Sequence, residues 1–266
     1  MANLAILGGK GMLGSDLVRY LSTHYEVSAI DRDNYEEYRG KQFDILVNAN
    51  GNSRRFWANE NPLADFEAST VSVMKSLFDF TFGKYIYISS PDAYADPSSP
   101  ATTHEDAPGD LGELSPYGFH KRLSEELVRH YAKDWLIVRP SAILGTQLTK
   151  GMVHDVLQGN ELFVTLDSKL QFITTDAVAD IIETLLQKSE KGIFNVGGRG
   201  TVTPEGVGAL VKKPIRVRTD AARQEYEMNT EKIENAYGAL KTSGEYVRIF
   251  IETQRAGQPA RALDIE

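Results

Sequence analysis

Immediately after the apolar run Asn3 to Leu7 comes Gly8-Gly9-Lys10-Gly11-Met12-Leu13-Gly14, and an amphipathic stretch follows to about Thr23. This turn constrains the fold more than any other segment. Its glycines permit positive φ and close backbone approach, and a helix that opens behind them aims unpaired N–H groups at the turn. Such a turn attracts phosphate. Asp31 follows the next apolar run, Glu26 to Ile30, where a carboxylate can accept the hydroxyl protons of a ribose. The spacing predicts a dinucleotide site built from Gly8, Gly11, Met12, Leu13, Gly14 and Asp31. A carboxylate repels a 2′-phosphate, whereas the neighbouring Arg32 would pair with one. NAD is the expected cofactor, with NADP the less favoured of the two.

Further apolar runs of strand length, Asp44 to Asn48, Lys84 to Ser89, Trp135 to Arg139 and Ile193 to Val196, alternate with amphipathic runs of helix length. That alternation predicts an α/β fold with a doubly wound, mostly parallel sheet covered by helices on both faces. Three helix starts carry a capping side chain before proline, at Asn61-Pro62, Ser115-Pro116 and Thr203-Pro204. Asp92 to Leu114 reads as one long loop, and long loops are often functional. Only Arg32 to Phe43 separate the second run from the third, too few for a further crossover and strand. The predicted division is residues 1–145 for the dinucleotide domain, with Ile193 to Val196 rejoining it. Residues 146–253 form a small substrate lobe, and 254–266 a loose tail.

Composition narrows the function. The 266 residues carry 29 Lys plus Arg against 37 Asp plus Glu, a formal charge of −8, and no cysteine. With no basic run, a nucleic-acid or anionic-membrane partner is not expected. No apolar stretch reaches the length of a membrane span. The absence of cysteine excludes thiol catalysis and thiolate metal sites, agrees with a reducing compartment, and leads to the expectation of a cytoplasmic protein without a metal centre.

Tyr117 and Lys121 stand four residues apart on a predicted helix and so share a face. An ammonium beside a phenol favours the phenolate and brings the tyrosine towards a usable range for proton transfer. The surrounding motifs occur in a recognisable order. They are the glycine turn, Val47-Asn48-Ala49-Asn50-Gly51, Asn61-Pro62, Tyr87-Ile88-Ser89-Ser90-Pro91-Asp92-Ala93-Tyr94 and Ser115 to Lys121. Arg139-Pro140 with Gly145, Phe172-Ile173 with Asp176 to Ala179, and Phe194 to Gly197 complete them. Together, over about residues 1 to 200, they resemble the extended short-chain dehydrogenase/reductase family, in its NAD-dependent epimerase/dehydratase group.

The resemblance implies a Rossmann-like fold, from which this chain departs because the short span Arg32 to Phe43 leaves out the usual third strand, and it implies hydride transfer at a secondary alcohol or ketone carbon. The substrate it implies is a nucleotide sugar or a smaller related metabolite. It assigns Tyr117 as general acid/base and gives Lys121 the nicotinamide ribose. Ser90 becomes the hydroxyl that positions the substrate. Asn48, Ala49, Asn50 and Pro140 join the cofactor residues. Asp92 stands where dehydratase-like relatives carry a glutamate, so it reads either as a second acid/base or as a turn cap. His104, Glu105 and His120 are expected to be solvated. Thr70 replaces a customary asparagine of the proton relay, and Leu170-Gln171 replace a customary charged pair. Arg199 and Arg223 are candidates for a substrate diphosphate, although both also suit an ordinary surface. Relatives pair through the helices equivalent to Pro62 to Phe82 and Pro116 to Tyr131. Phe66, Phe78 and Phe82 suit either a homodimer contact or a monomer core. The alternative function is a catalytically silent dinucleotide sensor or scaffold.

Overall fold

The structure is a computed structural model and describes residues 1–107 and 109–256. Its centre is a six-stranded parallel sheet of β1 (Asn3–Leu7), β2 (Glu26–Ile30), β3 (Gln42–Asn48), β4 (Thr81–Ile88), β5 (Trp135–Pro140) and β6 (Gly192–Val196). The order across the sheet is β6-β5-β4-β3-β1-β2. Every pairing in it is parallel. No strand lies between β2 and β3; a four-residue helix, Tyr35–Tyr38, spans part of that gap, so β2 ends the sheet as expected.

Alternation along β1 explains the two-sided core. Leu4 and Ile6 pack on one face with α1 (Met12–Leu21) and α4 (Thr175–Gln187), through Leu13, Leu17, Val178 and Ile182. Ala5 and Leu7 pack on the other with α2 (Ser72–Asp79) and α3 (Pro116–Tyr131), through Val73, Leu77 and Val128. A third apolar cluster joins Met152, Val156, Leu162 and Val207 to Val247 and Phe250 of α5 (Ser243–Ala256). Helix α5 overturns part of the expected tail, because the periodic apolar face of Val247, Phe250 and Ile251 carries the helix on through 254–256; residues 257–266 lie outside the described chain.

Two of the three proline starts cap as predicted. Ser115 Oγ accepts from Gly118 N and Thr203 Oγ1 from Gly206 N, each at 3.2 Å. Asn61 does not, because its Nδ2 donates back to Trp57 O at 3.0 Å. Helix Pro62–Phe66 continues into α2 through a π-helical turn, Glu67–Val71. No described helix is long and apolar enough to cross a membrane. No cluster of metal-ligating side chains occurs among the described residues.

Candidate active site

The glycine turn is fastened to the edge of the sheet. Gly8 adopts φ +77°, and the N–H groups of Gly8 and Gly9 donate to Ile30 O at 2.8 and 3.3 Å. A Cβ on Gly14 would fall 1.9 Å from Gly8 O, and one on Gly8 3.0 Å from Ala49 O, so no side chain fits at either position. Gly11 caps α1 without a side-chain bond. The backbone of Met12, Leu13 and Gly14 therefore opens the helix with the N–H groups that a helix cannot satisfy internally. The Leu13 side chain is spent in the core. A cavity of about 840 Å³ begins here and is lined by Gly8, Asp31, Arg32, Asn50, Gly51 and Asn52, among others. Asp31 Oδ2 accepts from Lys10 N at 2.6 Å, while the Lys10 ammonium pairs with Asp33. The glycine cradle and a carboxylate at the end of β2 fit a dinucleotide.

Two of the proposed cofactor residues are placed differently. Asn48 is fully buried and donates to Ser76 Oγ at 3.2 Å and Tyr85 OH at 2.8 Å, with its Oδ1 accepting from Asn50 N at 3.0 Å. It shapes the turn from behind, because its polar groups are consumed inside. Pro140 is buried where β5 ends, in register with Val196. Ala49 donates its N–H to Leu7 O at 3.0 Å and packs against Gly8, and Asn50 donates from Nδ2 to Ser72 Oγ at 2.9 Å.

The remaining candidates meet at the carboxyl end of β4. Tyr117 and Lys121, on the first turns of α3, are 8% and 5% exposed. Lys121 Nζ donates to Ile88 O at 3.1 Å and lies 5.2 Å from the Tyr87 ring centre. Burial lowers Lys121 to about 8, against the opposing pull of Asp65, Glu125 and Asp92. Ser90 Oγ donates to Asp92 Oδ2 at 3.0 Å and accepts from Asp92 N at 3.2 Å. Burial raises the Asp92 carboxyl, against the pull of Arg55.

The expected lowering of Tyr117 does not occur. Burial, then the Asp92 charge, hold its phenol well above the ordinary value, against a hydrogen bond from Ser90. The physical reason is burial, which penalises the charged phenolate. Tyr117 is thus held as a neutral phenol.

Arg55 and Tyr226 complete the cluster, and sequence reasoning missed both. Tyr226 OH donates to Asp92 Oδ1 at 2.8 Å, Arg55 Nη1 donates to the same oxygen at 3.3 Å, and Arg55 also bonds the Tyr226 hydroxyl. Tyr226 comes from a two-residue strand beyond β6, and no motif marks it. Ser90, Asp92, Tyr117 and Lys121 lie outside the lining of the 840 Å³ cavity, which includes Gly51, Asn52, Ser53 and Arg54.

His104 is exposed as expected, but Glu105 and His120 are not free in solvent. Glu105 Oε1 accepts from Asn195 N at 2.9 Å, and His120 is buried with Nδ1 at 2.7 Å from Asp65 Oδ2. Each is drawn inward by a polar group that burial would otherwise leave unpaired. Gln171, in place of a charged residue, is buried and bonds Gly198 O, Met228 O and Met228 N. Arg223 is paired with Asp167 and Glu225, and Arg199 is exposed. Neither lines the cavity.

Comparison with known proteins agrees with this fold. A dTDP-4-dehydrorhamnose reductase from Bacillus anthracis, solved with NADP, superposes with a TM-score of 0.79 at 17% identity, covering 95% of this chain and 99% of that one. A UDP-glucuronic acid 4-epimerase from Bacillus cereus, solved with UDP-4-deoxy-4-fluoro-glucuronic acid and NAD, gives 0.74 at 16%, over 95% and 99%. RMD from Pseudomonas aeruginosa, solved with NADPH, gives 0.73 at 18%, over 96% and 100%. Structures of this fold thus hold either cofactor, and the expected preference for NAD over NADP is not upheld. Arg32, exposed at the cavity, is the local reason that Asp31 alone does not decide it. A search of curated proteins finds no match. The family model for NAD dependent epimerase/dehydratase proteins matches residues 4–197, and with it the chain belongs to the NAD-dependent epimerase/dehydratase family.

Proposed function

We propose that the chain transfers a hydride between NAD or NADP and a secondary alcohol or ketone carbon of a nucleotide sugar or a smaller related metabolite, and exchanges a proton at a neighbouring carbon. The observation that carries this reading is the meeting of the buried Ser90, Tyr117 and Lys121 with the part-buried Asp92. The glycine turn, Asp31, Arg32 and Asn50 hold the dinucleotide, which supplies or accepts the hydride when bound. Ser90 Oγ orients the substrate oxygen. Tyr117, kept as a neutral phenol, gives its proton to that oxygen as a ketone is reduced, and takes it back in the oxidative direction. Lys121 would hold the nicotinamide ribose through its ammonium when the dinucleotide is bound.

Asp92 decides between plain reduction and a reaction with a second proton step. A turn cap pointing to solvent would have favoured reduction alone. Instead the carboxylate is tied to Ser90, Arg55 and Tyr226, within the same cluster as the acid. That position favours epimerisation or dehydration, in which Asp92 removes a proton α to a transient ketone.

The test is product analysis by chromatography, with absorbance of the reduced cofactor read alongside, while UDP-, dTDP- and GDP-sugars are added one at a time, since epimerisation and dehydration return the hydride and leave the cofactor unchanged overall. Turnover that falls about 10²- to 10⁴-fold in Tyr117→Phe, with cofactor affinity retained, supports the enzyme. Cofactor binding without turnover across the panel supports the silent sensor.

A homodimer is part of the proposal. Helices α2 and α3 border a groove of about 900 Å³ lined by Phe66, Met74, Leu123, Leu127, Tyr131 and Trp135. Phe78 is 64% exposed beside Tyr131, whereas Phe82 packs on Tyr85 within the monomer. Light scattering at the monomer mass of 29.5 kDa would exclude it. A chain without cysteine suits the reducing cytoplasm, which completes the reading.

A further inference from the structure

The chain that leads from β5 into the carboxyl-terminal lobe crosses from one side of the dinucleotide site to the other. It starts against α1, where Gly145 is packed so closely that a Cβ would fall 2.8 Å from Thr175 Cγ2 and 2.9 Å from Met12 Cγ. Thr146 donates from its N and its Oγ1 to the two oxygens of Asp16 at 3.2 and 2.9 Å, and Gln147 Nε2 donates to Ser15 Oγ at 3.3 Å. Three residues later Lys150 Nζ donates to Ser53 Oγ at 3.0 Å and also to the Ser53 carbonyl. Residues 145–150 therefore form a strap, tied at one end to the helix that the glycine turn opens and at the other to the loop after β3 that lines the cavity.

The loop at the far end is fixed from behind. Asn52 Oδ1 accepts from Arg54 N at 2.8 Å, and Asn52 Nδ2 donates to the fully buried Asp65 at 3.1 Å. Ser53 and Arg54 both line the cavity, and the Lys150 ammonium sits on the peptide group that joins them. Two cationic side chains thus share one edge of the cavity. Lys10, Arg19, Arg39 and Lys84 each have a carboxylate partner. Lys150 has none among the described residues; the charge that acts on it is that of Arg54, which together with partial burial opposes the ammonium. Like charges held together in this way are relieved by an anion placed between them.

The cavity itself indicates which anion. Its glycine turn offers phosphate only the partial charge of backbone N–H groups, whereas a diphosphate carries a full charge on each phosphate. An ammonium has three donors, and Lys150 spends two of them on Ser53, which leaves one for a phosphate oxygen. We propose that Lys150 and Arg54 are the counter-charges for the diphosphate of the bound dinucleotide, with Lys150 carried to it by the strap from the lobe. The inference rests on the cavity holding a dinucleotide, and it makes the carboxyl-terminal lobe part of the cofactor site.

The experiment is calorimetric binding of ADP-ribose, AMP and UDP to the full chain and to Lys150→Met, Lys150→Arg and Arg54→Met. ADP-ribose carries the diphosphate without the nicotinamide, so hydride chemistry does not enter the readout. Lys150→Met and Arg54→Met are each expected to weaken ADP-ribose about 10- to 100-fold while AMP and UDP stay within about threefold. Lys150→Arg keeps the charge and should bind ADP-ribose within about threefold of the wild type. Arg54→Met carries the test should Lys150→Met fail to fold. Unchanged ADP-ribose affinity in either Met variant, a loss as large for AMP or UDP, or a loss in Lys150→Arg equal to that in Lys150→Met overturns the inference and leaves the proposed function standing. A wild type that binds neither ADP-ribose nor AMP overturns both.

Discussion

The phenol of Tyr226 donates to Asp92 across 2.8 Å, joining a strand of the carboxyl-terminal lobe to the turn that follows β4. Without this bond Asp92 would keep only Arg55 and Ser90 as partners in an environment that already resists its charge. The lobe therefore reaches the proposed chemistry by way of the second acid/base.

Deuterium uptake separates the two proton steps. In deuterated water, Asp92→Asn is expected to slow incorporation at the carbon α to the ketone by about 10²- to 10⁴-fold, with hydride transfer retained. Tyr226→Phe should slow it by about 10- to 100-fold, the worth of one hydrogen bond to a charged group. Equal loss of hydride transfer in both variants would assign Asp92 to substrate placement instead.

Lys121 makes stability depend on pH in a definite direction. Its ordinary value is 10.5, and the fold lowers it to about 8. Between those values the unfolded chain holds a proton that the folded chain has released, so this group's contribution to stability rises from about pH 8 to 10.5. Lys121→Met is expected to be more stable than wild type at pH 7, by about 2–3 kcal/mol, and the difference should vanish towards pH 10.5. Urea midpoints of the two proteins at pH 7 and pH 10 check this. Buried phenols such as Tyr85, pushed up to about 12, lower stability above pH 10 in both proteins alike and drop out of the comparison.

Gly14→Ala places a methyl group 1.9 Å from a carbonyl oxygen that belongs to a fixed turn. The expected cost is about 1–3 kcal/mol or more, together with loss of the thermal shift produced by cofactor. Gly109→Ala is the control, since a Cβ there meets nothing within 4 Å, and should stay within about 0.5 kcal/mol.

Arg139 and Glu125 form a fully buried ion pair, with Ser89 Oγ also donating to Glu125 at 2.5 Å. Glu125→Gln leaves the guanidinium in the core without its counter-charge. A loss of about 3–5 kcal/mol is expected, read as a drop in melting temperature of roughly 10 °C or more. The double variant Glu125→Leu with Arg139→Met should recover much of it, because neither charge then has to be buried.

The sheet was legible in the sequence because its strands are continuous apolar runs. Asn3–Leu7 and Glu26–Ile30 fall where the pattern puts them, and the short span from Arg32 to Phe43 announces the missing strand. The chemistry was legible where neighbours in sequence are neighbours in space, as on α3 with Tyr117 and Lys121. It was not legible where burial reassigns a side chain. Asn48 turns inward to Ser76 and Tyr85, and His120 turns inward to Asp65. Nor could a local pattern find Arg55 and Tyr226, which meet across 171 positions of chain. The state of Tyr117 depends on its burial and on the Asp92 charge beside it, and residue spacing encodes neither.

The span between Asp92 and Tyr226, 134 positions, also orders the building of the molecule. Chain-closure entropy grows with the logarithm of loop length, and bringing these two together costs roughly 1.5 kcal/mol more than joining β1 to β2. Ribosomal synthesis delivers Tyr226 long after the glycine turn, Ser90 and Tyr117 have been made. A nascent chain therefore carries its proposed hydride-transfer residues before Asp92 has its full set of partners, and chemistry that relies on that carboxylate begins only when the last lobe is in place.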